Sequence, residues 1–214
     1  MNDEPRKNQA VLIIDRLLPP LLRSLCRYPN DLQFQATHYL SSSTVCVRPH
    51  DDDFPLLMGT GAKTFRSLRT IIKAISEKHG HKIELEHLQG GRPRDAEKTQ
   101  WPVIEPDPKF DITPLRRLLT QTVQAFSTGA ALVVTKDGGS YRILVSVQDK
   151  AAPNELEMES ALTTVFNASA KLKGGDLRIM FTKSCGGAVA LPPEATIELQ
   201  PETADGRWAK EEKV

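Results

Sequence analysis

Apolar residues recur at helical spacing over the first part of the chain, between Gln9 and Leu25. Their separation of three or four residues is typical of the buried face of an amphipathic helix. The positions are Val11, Ile14, Leu17, Leu18, Leu21, Leu22 and Leu25. Because Pro19 and Pro20 remove backbone donors within this run, we expect either a bend there or a new helix that begins at Pro19.

Two short alternating runs follow this helix and predict a β-hairpin. Residues 32–38 alternate apolar with polar side chains, and residues 44–47 form the second run. The serines at 41–43 are predicted as the turn between them. The acidic run that comes next, Asp51, Asp52 and Asp53, is predicted as a solvated loop.

A long helix is predicted from Phe54 to about Lys78, either continuous or divided at the loop that contains Gly59. Its apolar residues follow a period of three to four, which indicates a face turned towards a core. Gly80 is a candidate C-cap, because glycine readily adopts the left-handed conformation that ends many helices. Residues 82–86 alternate again and predict a third strand.

The same order of elements recurs in the second half of the chain. A helix with candidate caps at Asp111 or Thr113 precedes two strands at 131–135 and 141–147, and Asp137-Gly138-Gly139-Ser140 is a hairpin turn signal. A helix at 155–171 and a strand at 177–181 complete the repeat. We therefore predict an α+β fold of two α-β-β-α-β units, each with a three-stranded sheet packed on helices.

The predicted division of the chain follows from these units. The first domain is expected at 9–88 and the second at 111–183. The glycine- and proline-rich segment 89–110 is expected to be a linker. The segment 184–214, rich in proline, glutamate and lysine, is expected to be a disordered tail.

Positive charge is concentrated around the long helix of the first unit. The whole chain carries a formal charge of only +1, yet Gly59 to Lys82 holds six Lys/Arg residues and one acid, Glu77. Four of the basic residues form one helical stripe: Lys63, Arg66, Arg69 and Lys73. A basic face on a nearly neutral protein indicates a single binding site for a polyanion.

Composition and motifs exclude several classes of protein. No apolar run approaches the roughly 20 residues of a membrane helix, and the N-terminus lacks the apolar core of a secretory signal. Cys26, Cys46 and Cys185 are odd in number and far apart, which indicates reduced thiols in a cytoplasmic protein. The histidines lack metal-site spacing, so we expect no metal and no cofactor. We also expect no enzymatic activity, because no catalytic constellation is present.

The small residues before the basic stripe invite comparison with nucleotide-binding loops. In a P-loop the lysine directly follows the last glycine, whereas here Ala62 stands between Gly61 and Lys63. Leu56 stands where the motif needs its earlier glycine. The dinucleotide fingerprint fails as well, because Thr64 takes the place of its third glycine.

The first unit resembles a KH domain, specifically that of the small bacterial single-KH RNA-binding proteins, over residues 9–88. In that family a short helix and a β-hairpin precede a GxxG loop, and a basic helix and a strand follow, which is the prokaryotic, type II order. The family pattern Ile-Gly-x-x-Gly-[Arg/Lys]-Thr-x-x-[Ala/Ser]-Leu-Arg-Thr matches the sequence from Met58 to Thr70. Ala62 replaces the second glycine of the loop.

The resemblance implies that single-stranded RNA is held at this loop, which would clamp the backbone of about four nucleotides. It implies a regulatory or RNA-chaperone role. The candidate nucleic-acid-binding residues are Gly59, Thr60, Gly61, Ala62, Lys63, Arg66, Arg69 and Lys73, although Arg69 has the alternative of holding the sheet or a carboxylate. Phe54 and Leu57 are candidates for contacting bases.

The second unit has no such loop, since Glu155, Glu157 and Glu159 occupy the corresponding stretch and would repel phosphate. It is interpreted as a degenerate KH-like module that serves a homodimer or a protein partner. The alternative for the whole chain is a protein–protein scaffold whose KH-like units have lost RNA binding. A scaffold, however, has no need for a line of basic residues behind a glycine loop.

Overall fold

The computed structural model describes residues 4–87, 107, 109–127, 130–137, 140–147 and 155–183. In the first unit, helix α1 (Glu4–Arg23) precedes strands β1 (Gln33–His38) and β2 (Ser42–Arg48). The short helix α2 (Phe54–Met58) and a 3₁₀ turn (Thr60–Ala62) lead into helix α3 (Lys63–His79) and strand β3 (Lys82–His87). The glycine loop therefore divides the predicted long helix in two.

The second unit repeats this order. Helix α4 (Thr113–Phe126) precedes strands β4 (Ala131–Asp137) and β5 (Ser140–Val147), and helix α5 (Glu155–Lys171) leads to strand β6 (Leu177–Lys183). The predicted α+β fold with two α-β-β-α-β units is confirmed. The centre of the predicted hairpin turn, 138–139, lies outside the described residues.

The two sheets have the same topology. In the order β1-β2-β3, the central strand runs antiparallel to β1 and parallel to β3. In the order β4-β5-β6, β5 runs antiparallel to β4 and parallel to β6. A parallel neighbour requires a crossover, and α3 and α5 supply it in the two units. Buried apolar residues are paired across the parallel strands: Val45 with Leu85 in one sheet and Ile143 with Ile179 in the other.

The units pack on one another through their helices. Helix α3 contacts β3 of its own sheet and α5 of the second unit, and α1 contacts α4. Buried residues of both units belong to one hydrophobic cluster. Two hydrogen bonds link the units at helix ends: Ser169 Oγ donates to Ser24 O at 2.8 Å, and His79 Nε2 lies 2.9 Å from Ala125 O.

Helix α1 passes through both prolines, so the expected new helix at Pro19 is wrong. The two prolines cost helical hydrogen bonds to the carbonyls of Asp15 and Arg16. Both of those residues are exposed, so water can satisfy the carbonyls, while Leu17, Leu18, Leu21 and Leu22 on the opposite face are buried. Packing of that face holds the helix together where its own bonds are missing.

The serine turn also differs from the prediction, because β2 already begins at Ser42. Ser43 is fully buried, and its hydroxyl lies 2.8 Å from both His38 Nδ1 and His81 Nε2. These bonds satisfy the hydroxyl inside the hairpin and explain how a serine occupies an inward position of the strand.

A buried carboxylate joins the end of α1 to the start of α2. Asp53 is fully buried, and its two oxygens accept hydrogen bonds from the backbone N–H groups of Arg27 at 2.8 Å and Tyr28 at 2.9 Å. The prediction that all three acids of this loop are solvated is therefore wrong for Asp53, while Asp51 and Asp52 are exposed. A buried carboxylate is stable only where donors replace its water, and these two amides do so.

Polar side chains from the crossover helices bind backbone groups of both edge strands, β3 and β6. Arg69 of α3 donates from Nη2 to Leu85 O at 3.0 Å. In the second unit, Thr163 of α5 donates to Ile179 O at 3.2 Å, and Glu159 Oε2 accepts from Phe181 N at 2.8 Å. In each repeat, side chains of the crossover helix therefore bind main-chain groups of the last strand.

The predicted tail 184–214 lies outside the described residues, and so does most of the predicted linker 89–110. At the end of the linker, Asp107 N donates to Gly174 O at 2.9 Å, and the Tyr141 hydroxyl donates to Phe110 O at 3.3 Å. These contacts attach the residues before α4 to the second unit. None of the described helices combines the length and the apolar character that crossing a membrane would require.

We expect Asp53→Ala to lower the free energy of unfolding by about 2–3 kcal/mol, because two buried backbone donors lose a charged acceptor. Urea denaturation of the variant measures this change. Asp51→Ala and Asp52→Ala are matched controls from the same loop and should stay within about 0.5 kcal/mol of the wild type. Equal losses of stability at all three positions would contradict the stabilising role of the hydrogen bonds to Asp53.

Burial, reinforced by the negative charge of Asp53, raises the pKa of Cys26 to about 12. At pH 8 the thiolate fraction is then on the order of one in ten thousand, and thiolate is the reactive form. In a Cys46→Ser, Cys185→Ser variant, the remaining thiol should stay unreactive towards a thiol-specific chromogenic reagent until the protein is unfolded. Rapid labelling of the folded variant would contradict this.

Candidate nucleic-acid interface

The loop between α2 and α3 turns on a glycine that no other residue can replace without rearrangement. Gly59 has φ +70° and ψ 172°, a conformation that is essentially confined to glycine. A Cβ at this position would lie 2.3 Å from Thr64 Oγ1 and 2.9 Å from Thr64 N. The absent side chain lets the loop close directly against the first turn of α3.

The residue that replaces the second glycine of the family pattern keeps a glycine-like backbone. Ala62 has φ 60° and is the one non-glycine residue with positive φ among those that the structure describes. Gly61 beside it has φ +58°, and a Cβ at this position would meet Arg66 Nη2 at 3.9 Å, an ordinary contact distance. Two consecutive left-handed residues therefore form the entry to α3, and the alanine adopts this conformation at a cost of about 1–2 kcal/mol.

Several amide groups of the loop are already used within it. The N–H of Gly59 donates to Pro55 O at 2.8 Å, that of Ala62 donates to Gly59 O at 3.0 Å, and that of Lys63 donates to Thr60 O. The set of amides that can face an anion is thus narrower than the four-residue loop suggests.

The basic stripe begins where the loop ends and lies on the exposed side of α3. Lys63, Arg66, Arg69 and Lys73 are all exposed, while Phe65, Leu68, Ile71, Ile72, Ala74 and Ile75 of the same helix are buried. Lys63 forms no ion pair with a described residue, and Lys73 lies 3.8 Å from Glu77 at i+4. Opposite faces of one helix therefore carry the core and the charge.

Two arginines of the stripe have contacts within the protein. Arg66 Nη2 donates to Gly61 O at 2.6 Å, so its guanidinium lies against the loop. Arg69 donates to Leu85 O and lies 4.9 Å from the centre of the Phe65 ring. Of the two roles considered for Arg69, the structure thus shows the contact with the sheet. Arg66 is the arginine that extends the positive charge of the loop.

Of the two residues predicted to contact bases, Leu57 is buried and Phe54 is half-buried. Leu57 is only 1% exposed and belongs to the core, so its predicted role in contacting bases is wrong. Its place in the helical period of α2 turns it inward together with Leu56, which is also buried. Phe54, Pro55 and Met58 are half-buried and supply the apolar surface next to the loop.

The described residues of the second unit border this surface, and the loop is exposed beside them. Thr70, in the middle of α3, donates to Glu157 Oε1 at 3.4 Å, which brings an exposed carboxylate beside the basic helix. Thr60, Gly61 and Lys63 remain exposed. In the second unit, the acidic residues Glu155, Glu157 and Glu159, which were predicted to take the place of the loop, lie in the first turns of α5, and residues 153–154 before them lie outside the described residues.

Sequence reasoning missed the residues that fix the start of α2, the helix that leads to the loop. Asp53 precedes Phe54-Pro55, a pattern that indicates a helix N-cap, but its carboxylate binds the amides of Arg27 and Tyr28 instead. Tyr28 and His50, whose rings are 4.6 Å apart, lie beside this link between the end of α1 and the start of α2. No local pattern identifies such pairs, since their members are more than 20 residues apart in the sequence.

No model of a known protein family matches the sequence, and a search of curated proteins finds no match. The surface combines a loop with little side-chain bulk and a row of exposed cationic side chains that begins at its end. No group of three or more potential metal ligands is found within the described residues.

We expect Ala62→Gly to raise the free energy of unfolding by about 1 kcal/mol, because glycine adopts the left-handed conformation without a steric penalty. Ala74→Gly, within α3, is the control with the opposite sign and should lower it by about 1 kcal/mol or more. Chemical denaturation of both variants provides the measurement. A loss of stability in Ala62→Gly would show that the loop does not hold a left-handed residue there.

Proposed function

We propose that this chain binds single-stranded RNA at the loop Gly59–Ala62 and along the first turns of α3. The observation that carries the proposal is the continuity of two exposed features: a tight loop with little side-chain bulk, and a basic stripe that starts at its last residue. Backbone amides and cations together are the usual means of holding phosphates. A narrow loop suits one strand rather than a duplex.

In the proposed complex, phosphates accept hydrogen bonds from the N–H groups of Thr60 and Gly61. The ammonium group of Lys63 forms an ion pair with them. Arg66 stiffens the loop through Gly61 O and presents its remaining donors to the next phosphate. Lys73 extends the positive potential along the helix, and Arg69 acts as a positioning residue through β3. The half-buried side chains of Phe54 and Met58 face the bases.

The resemblance to KH domains supports this proposal at the level of element order. A helix and a β-hairpin precede the loop, and a basic helix and a strand follow it, as in the small bacterial single-KH proteins. The left-handed backbone of Ala62 also supports it, because the position keeps the geometry that glycine would give. We propose a regulatory or RNA-chaperone role without catalysis, in the cytoplasm, where the free thiols of Cys26 and Cys46 would stay reduced.

The alternative is a scaffold in which both units have lost RNA binding. Its best support is the close packing of the units and the carboxylate of Glu157 beside α3. A scaffold leaves unexplained why Ala62 retains an unfavourable conformation and why Lys63 and Arg66 stay exposed next to it. Protein contact is therefore assigned to the second unit alone, as a partner or dimerisation surface.

Thr60→Asp should weaken binding of a fluorescent single-stranded RNA by tenfold or more, because a carboxylate then stands where a phosphate is held. Thr60 is exposed, so the fold should be unaffected, whereas substitution of Gly59 would displace α3. Thr37→Asp, which adds the same charge to an exposed threonine of β1, is the matched control. Fluorescence anisotropy measures both affinities.

The salt dependence of the same binding separates phosphate contacts from other effects. Each phosphate contact of a single strand contributes a slope of about −0.7 to the plot of log affinity against log salt. Lys63→Gln should make the slope shallower by about that amount. Equal affinities for the wild type, Thr60→Asp and Thr37→Asp would remove the loop from the mechanism and favour the scaffold.

A further inference from the structure

Two aromatic rings lie together on the surface at the start of α2, away from the hydrophobic core. The centres of the Tyr28 and His50 rings are 4.6 Å apart, with an angle of 49° between the planes. Tyr28 is 45% exposed, and the side chain of His50 is 40% exposed. Tyr28 therefore keeps nearly half of its surface in water beside the His50 ring, and this exposed area can contact a further ring.

Backbone hydrogen bonds hold the main chain at both residues of this pair. The amide of Tyr28 donates to the buried carboxylate of Asp53. The carbonyl of His50 accepts from the amides of Asp53 and Phe54, at 2.9 and 3.0 Å. The main chain that carries the two rings is therefore fixed at the start of α2, so little backbone entropy remains to be lost there when a ligand binds.

The charges around the rings divide into two kinds. Arg27 precedes Tyr28, Arg48 lies two residues before His50, and both are exposed and form no ion pair with a described residue. Asp51 and Asp52 are exposed on the other side of His50, and Asp52 Oδ2 lies 3.7 Å from His50 Nδ1. A phosphate is disfavoured next to those carboxylates, so the rings suit an uncharged flat group and the arginines suit the anions beside it.

We propose that Tyr28 and His50 form a stacking platform for one base of the bound RNA, with Arg27 and Arg48 contacting the flanking phosphates. The inference rests on the proposed RNA binding at the loop and extends that site along α2. Helix α2, whose five residues span about 8 Å at 1.5 Å per residue, leads from the main chain beside this platform to the loop. The half-buried Phe54, Pro55 and Met58 lie on the helix between them.

Interleaved aromatic and basic side chains are the general means by which proteins hold single-stranded nucleic acids. Stacking is tolerant of sequence because every base offers a flat face, so the platform lengthens the binding site without selecting a particular base. The loop alone accounts for about four nucleotides. The platform therefore predicts that longer single strands bind more tightly than a strand of about four nucleotides.

The test compares two fluorescent oligouridines, of about four and about ten nucleotides, with the full-length protein. Tyr28→Ala should weaken binding of the longer strand by about 5- to 150-fold, the range found for loss of one stacked base. It should leave the shorter strand and the salt slope unchanged. Tyr28→Phe should bind like the wild type, because it keeps the ring. Urea denaturation checks that each variant is folded.

Tyr39→Ala is the matched control, since Tyr39 is 57% exposed at the other end of β1. If Tyr28→Ala and Tyr39→Ala bind the longer strand alike, while Thr60→Asp abolishes binding, the platform is overturned and the loop site stands. If the wild type binds neither strand, the RNA-binding function fails and the platform fails with it. A selective loss in Tyr28→Ala with an unchanged salt slope supports the platform.

Discussion

The structure depends on the burial of one face of α3 against its own sheet and against α5. Phe65, Leu68, Ile71, Ile72 and Ile75 occupy the interface, and each large apolar side chain buried there contributes about 1.5–3 kcal/mol. Because this contact fixes the rotation of the helix, it also fixes which side faces water. The position of the basic stripe and the closure of the loop at Gly59 both follow from it.

Elements whose pattern is local could be predicted from the sequence. The helix Glu155–Lys171 has the predicted bounds, and α3 ends at the predicted Gly80 cap, which has φ +62°. Periodicity specifies such elements because each turn of a helix must repeat its buried face. The repeated order of elements likewise predicted two sheets, and the charge pattern located the exposed stripe from Lys63 to Lys73.

Features that depend on distant partners could not be predicted. Asp53 looks like its two acidic neighbours in the sequence, and only the amides of Arg27 and Tyr28, brought close by folding, make it a buried residue. Leu57 belongs to an apolar run whose inward side becomes known only when α2 is placed. Similarly, Pro19 and Pro20 argue for a break in the helix, and tertiary packing of the surrounding leucines overrides that local preference.

The contacts of Arg69, Thr163 and Glu159 with the strands have a consequence for how this protein meets other molecules. An uncovered edge strand is a template on which another chain can add a strand, and this is a common route to aggregation. Here β3 and β6 have main-chain groups occupied by the helix that precedes each of them. Strand addition at these two edges would have to displace a side chain, which leaves β1 and β4 as the more accessible edges.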